Sequence, residues 1–253
     1  TLNAFTAVAK DNSGAESSTA ITATVTVAAV NDAPTGTSST LTILEDGSKT
    51  FTANDFGFSD AVENHALQAV IITTLPTAGT LTLSGVAVSA NQSIALTNLG
   101  NLVYTPAENA NGNSYATIGF KVQDAGGTDN GGVDTSISAN TLTVDVSAVN
   151  DAPVLTSAQA NLATGSEDVG YTVSITNLLQ GYTDVDLNTL SINSVAVYDA
   201  AGTTVIGSAS LSGSNYTITT NTNYNGTITL KYNVNDGTIN IATTQSVVLV
   251  AIN

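Results

Sequence analysis

Val30-Asn31-Asp32-Ala33-Pro34 and Val149-Asn150-Asp151-Ala152-Pro153 are the same five residues written twice in one chain of 253. A third copy would begin at Ile252-Asn253, so Asn31, Asn150 and Asn253 stand 119 and 103 residues apart. Those are domain-sized periods, and a repeat of that length settles the architecture before any local feature does. Asn and Asp favour turns and Pro ends a strand, so each copy reads as a linker between folded units.

Upstream of each copy lies an alternating segment that closes on Asp. These are Phe5-Thr-Ala-Val-Ala-Lys-Asp11, Ile118-Gly-Phe-Lys-Val-Gln-Asp124 and Leu230-Lys-Tyr-Asn-Val-Asn-Asp236. In all three the apolar residues sit six, four and two places before the Asp. A period of two is a strand with one buried face, and the Asp opens the turn that follows. Leu41 to Leu44, Leu67 to Ile71, Thr80 to Leu83, Ser93 to Leu96 and Leu142 to Val146 extend the strand inventory, and helical spacing is nowhere sustained. The spacing predicts a truncated repeat over 1–33, holding two strands and a linker, then complete repeats over 34–150 and 151–253 with about seven strands each. The expected fold is all-β, with immunoglobulin-like antiparallel sandwiches arranged end to end. The longer repeat has extra residues around 76–101 and 124–140, room for an added hairpin or a binding loop.

Composition narrows the function. Four Lys and no Arg against 20 Asp and Glu leave a net charge of −16. Nucleic acid is excluded as a partner, because phosphate neutralisation needs clustered cations; a multivalent cation is favoured instead. There is no Cys, so disulfides and thiolate metal sites are absent, and a secreted domain of this kind takes its staple from elsewhere. No run of 18 apolar residues and no basic-then-apolar leader is present, so this fragment carries neither a membrane span nor a signal peptide.

Together the Val-Asn-Asp-Ala-Pro linkers, the Glu45-Asp46 and Glu167-Asp168 pairs, Tyr182-Thr-Asp-Val-Asp186 and Asn223-Tyr-Asn-Gly226 resemble the cadherin-like tandem repeats of giant RTX-type bacterial surface adhesins. The resemblance covers essentially the whole chain. It implies an extracellular rod of sandwiches stiffened by Ca²⁺, with neighbouring repeats as partners and any host or surface ligand held by other domains.

The acids can be placed on the sandwich independently of that likeness. The linker and the loops after the second and sixth strands meet at the leading end of a repeat, while the turn after the first strand segment lies at the trailing end. The first leading end gathers Asn31, Asp32, Asp60, Glu63, Asn64 and Asp124. The second gathers Asn150, Asp151, Asp184, Asp186, Asn188 and Asp236, joined on this reading by Glu45 and Asp46 from the repeat before. Six carboxylates at one seam repel one another and raise one another's pKa, and hard oxygen ligands in that number suit Ca²⁺.

Other features read as ordinary structure. The Gly- and Asp-rich stretch 124–134 lacks the stacked copies of a calcium β-roll and the acid spacing of an EF-hand, so it reads as a turn. His65 reads as a surface loop residue, and Lys121 and Lys231 as exposed charges. No Ser-His-Asp set, paired-carboxylate cleft or open zinc site emerges, which excludes an enzyme. A stalk that sets reach is the favoured function. A glycan- or protein-binding accessory module, or a filament subunit, is the alternative.

Overall fold

The computed structural model describes residues 2–252; Asn253, read above as part of a third linker copy, lies outside them. The chain is nearly all-β, with 48% strand and 7% helix. It divides into two compact units, Thr1–Ala148 and Val149–Asn253, so Asn150 and Asp151 belong to the second.

The first unit opens with a hairpin of β1 (Leu2–Ala7) and β2 (Ile21–Val25). Nine strands follow: β3 (Ser39–Leu44), β4 (Lys49–Thr50), β5 (Leu67–Thr74), β6 (Thr80–Leu83), β7 (Val86–Ala87), β8 (Gln92–Ala95), β9 (Leu102–Thr105), β10 (Gly112–Asp124) and β11 (Asn140–Ser147). They form two sheets, ordered β3-β11-β10-β5-β8 and β4-β9-β6-β7. The count exceeds seven because the first strand is split between the sheets and residues 80–87 add a hairpin. Alternation in β10 buries Ile118, Phe120 and Val122, and β11 buries Leu142, Val144 and Val146. Phe120 meets Phe56 edge-on at 5.0 Å, and Phe51 meets Phe56 at 5.7 Å with the rings tilted by 38°. Each such ring contributes about 1.5–3 kcal/mol through burial alone.

The second unit carries β12 (Val154–Leu155), β13 (Gly165–Ser166), β14 (Tyr171–Ser174), β15 (Tyr182–Thr183), β16 (Ser191–Asp199), β17 (Val205–Ser212), β18 (Asn215–Thr220), β19 (Gly226–Asn235) and β20 (Asn240–Val250). Seven of them make one sheet, β13-β20-β19-β16-β17-β18-β14, with β13 and β14 at its two edges. A helix of one turn, Ile175–Leu179, sits between β14 and β15 and is capped by Ser174, whose hydroxyl accepts from the Asn177 amide. Ile228, Leu230, Tyr232 and Val234 of β19 fill the core.

Two findings refine the expected sandwich. Pairing is antiparallel except that β3 runs parallel to β11 and β13 to β20. Alternation reports which face is buried but not which way a strand runs. Second, all three strand-Asp motifs share one register, with Phe5 opposite Ala23, Ile118 opposite Leu142 and Leu230 opposite Gln245.

Candidate metal centre

β10 ends on Asp124, and the equivalent Asp236 directly follows the last residue of β19, Asn235; both Asp residues are buried. The linker Asn is folded onto each. Asn31 Nδ2 donates to Asp124 Oδ1 at 3.0 Å and to the carbonyls of Gly127 and Val133, whereas Asn150 Nδ2 donates to Asp236 Oδ2 at 2.9 Å and to the Asp151 carbonyl. The loop 124–134, read as a turn, is therefore the cradle that receives Asn31.

A second acid comes from the loop after β15 and its counterpart in the first unit. Asp60 Oδ1 accepts from the Val62 and Glu63 amides and Oδ2 from that of His65; Asp184 Oδ1 accepts from the amides of Asp186 and Asn188. The third acid faces the linker backbone: Glu63 Oε2 accepts from the Asp32 amide at 3.4 Å, and Asp186 Oδ2 from the Asp151 amide at 2.7 Å. Each leading end thus brings a linker Asn-Asp, a turn acid, a facing acid and a strand-end Asp together. In the first unit Asp60, Glu63 and His65 each place a ligand atom within 4.8 Å of the others. The side chain of Asn64 is exposed on a residue with φ of 60°, outside this net.

Two carboxylate oxygens stand out. Asp124 Oδ2 and Asp184 Oδ2 are buried with no hydrogen-bond partner. A buried charged oxygen left unpaired is costly, and nearly all buried polar groups find a partner. An all-oxygen set with a spare buried carboxylate oxygen fits a hard divalent cation such as Ca²⁺.

The trailing ends are built alike. Glu45 is buried and its Oε2 accepts from Asn111 Nδ2 at 2.7 Å; Glu167 is buried and accepts from Asn225 Nδ2 at 3.0 Å. Glu167 Oε1 also accepts the Ile252 amide, tying the outgoing chain down. Asp46 is exposed in the turn that follows. Asn111 precedes β10 and Asp124 ends it, so Glu45 and Asp124 lie at opposite ends of a 13-residue strand, about 40 Å apart.

Electrostatics differ from the expected mutual repulsion. Burial pushes the Asp60 carboxyl up, but the His65, Glu63 and Val62 amides outweigh it and leave it below the usual range. The Ile239 amide and the Asn150 side chain hold Asp236 low, and Asn225 and the Ile252 amide do the same for Glu167. Backbone and amide donors, not neighbouring acids, set these values.

Sequence reasoning missed three partners. His65 is half-buried rather than a surface residue, because its ring is held against Asn31. Lys121 and Lys231 are likewise not free charges. Lys121 Nζ donates to the Ile137 carbonyl in the loop before β11 at 2.9 Å, and Lys231 of β19 lies 4.5 Å from the ring centre of Tyr198 on the neighbouring β16. Asn111 was legible: Asn109-Ala-Asn111-Gly112 repeats the form of Asn223-Tyr-Asn225-Gly226.

Residues 149–251 match the family model for a cadherin-like domain, and residues 31–136 match that for a bacterial Ig domain. Such domains are typically non-enzymatic, and cadherin-like domains typically bind Ca²⁺. No curated protein matches the sequence. Among solved structures, mouse cadherin-23 EC22–24 is similar with a TM-score of 0.46 at 12% identity, over 88% of this chain and 67% of that one. The human desmocollin-1 ectodomain gives 0.36 at 13% identity, over 95% and 46%. An endo-fucoidan hydrolase from glycoside hydrolase family 107 gives 0.30 at 16% identity over 100% of this chain, which spans only 38% of that enzyme. A bacterial Ig domain fits an extracellular or surface protein. No helix among the described residues is long and apolar enough to cross a membrane.

Proposed function

We propose that these units are calcium-stiffened extender repeats of a large bacterial extracellular adhesin of the RTX type. The observation that carries the reading is the buried, unpartnered carboxylate oxygen at each leading end, on Asp124 in the first unit and Asp184 in the second. Asp32, Asp60, Glu63 and Asp124 would hold one ion or cluster, and Asp151, Asp184, Asp186 and Asp236 another. Asn31, Asn150 and Asn188 order those acids, and Glu45 and Asp46 belong to the proposal as further acids toward the following linker. A cation shared between the linker Asp and the body of a unit takes away the linker's freedom, which is what a spacer requires. Neighbouring repeats are the partners, and recognition of a host or surface falls to other domains.

Bound calcium stabilises each unit by RT ln(1 + [L]/Kd), about 2.7 kcal/mol at a hundredfold excess over Kd. That raises Tm by on the order of 10 °C for domains of this size. Calorimetric titration and melting in EDTA, millimolar Ca²⁺ and millimolar Mg²⁺ test the reading, with Asp186→Ala expected to lose stoichiometry or affinity. Small-angle scattering should show a narrower distribution of dimensions with calcium. Identical melting and scattering with and without calcium would sink it.

A further inference from the structure

We infer that His65 is a positioning residue, whose Nδ1–H holds the side-chain amide of Asn31 and so keeps the first leading end in the form that Asn188 gives the second. The functional meaning of this rests on the calcium reading above; the geometry does not. His65 Nδ1 lies 2.7 Å from Asn31 Oδ1, and Asn188 Nδ2 donates to Asn150 Oδ1 at 3.0 Å. The backbones agree as well. The His65 and Asn188 amides donate to the turn acids Asp60 and Asp184, and each follows a residue with φ of 60°, Asn64 and Leu187. Thus His65, and not Asn64, occupies the place of Asn188.

The tautomer follows from the network. Asn31 Nδ2 faces three acceptors, Asp124 Oδ1 and the Gly127 and Val133 carbonyls, so its amide cannot be turned round. Its oxygen therefore faces the imidazole, and Nδ1 carries the hydrogen. A ring nitrogen that is protonated and engaged is a donor and not a metal ligand. The ring's task is to hold the Asn31 amide on Oδ1 of Asp124, so that Oδ2 of Asp124 is the oxygen left over. Gly126 completes the arrangement: a Cβ there would collide with Asn31 Oδ1 and His65 Nδ1, so the loop closes over this bond only with glycine.

The test uses the whole chain with His65→Asn and His65→Leu, and calcium as the probe. Long-range ¹H–¹⁵N spectra of the wild type should show the Nδ1–H tautomer. His65→Leu should weaken calcium binding at the first unit tenfold or more, the usual size of an outer-shell loss, and lower Tm in EDTA. His65→Asn should restore both to near wild type. An Nε2–H tautomer overturns the inference, as does a Leu variant that melts and binds like wild type or an Asn variant that fails like Leu. If the wild type binds no calcium, the calcium reading fails alone, and the tautomer and EDTA melting still decide the role of His65.

Discussion

The side-chain amide of Asn31 donates to Oδ1 of Asp124 at 3.0 Å across 93 residues of chain, while Oδ2 of the same carboxylate is buried without a partner. One oxygen of this acid is spent on holding the linker, and the other is available to a cation.

Replacing Asn31 by Ala removes three donated hydrogen bonds, one to Asp124 Oδ1, which keeps the Gly126 amide, and two to the Gly127 and Val133 carbonyls, whereas Asn150→Ala removes two, to Asp236 Oδ2 and the Asp151 carbonyl. Each buried acceptor left unpaired costs about 1–3 kcal/mol. Urea denaturation should rank Asn31→Ala as the more damaging of the two; the reverse order would show that the first linker is not held by this side chain.

Asp124→Asn should separate folding from binding. It removes the charge that burial penalises, so stability in EDTA should be kept or raised, while calcium affinity falls by tenfold or more. A variant that binds calcium as tightly as the parent would remove Asp124 from the ligand set.

Acid should destabilise the protein even without calcium. Asp60, Glu167 and Asp236 all have carboxyls held below the usual range. A depressed folded pKa gives stability that is complete above the unfolded value, about 4, and is lost as pH falls through the folded one. Urea midpoints in EDTA should be level between pH 6 and 8 and drop below roughly pH 4. A midpoint at pH 3 equal to that at pH 7 would contradict these hydrogen bonds.

The two cores share no buried residue, since Phe120 lies in one cluster and Tyr232 in another. Phe120→Ala should cost about 3–5 kcal/mol. In calorimetry it should lower one transition and leave the other in place; a joint shift of both would show that the units do not unfold independently.

Much of this was written in the sequence. The six-four-two spacing gave the strands and their buried faces before Asp124 and Asp236, because a pleated strand allows only two faces; before Asp11 it gave a strand, β1, but its Phe5 is 63% exposed. The acids of the leading ends were legible from their place after strand ends. Strand direction was not, so the parallel pairing of β3 and β11 is a finding of the structure. Nor was the match of His65 to Asn188. His65 stands five positions after Asp60 and Asn188 four after Asp184, so counting pairs Asn64 with Asn188 while the left-handed residue in each turn pairs His65 with it. Hydrogen-bond competition for each carboxylate oxygen is a property of three dimensions and leaves no mark in a list of residues.

The parallel pairing of β3 with β11 and of β13 with β20 has a mechanical consequence. In a parallel pair the chain enters at one end and leaves at the other, so tension applied to the termini drags β3 along β11 instead of peeling it away. All the bridging bonds then carry load together, in shear. β3 and β11 share six opposed positions, from Ser39 with Leu142 to Leu44 with Ser147, and β13 and β20 share two, Gly165 with Leu249 and Ser166 with Val250. Under a steady pull the second unit should be the one that yields first, with the first unit holding until a higher force.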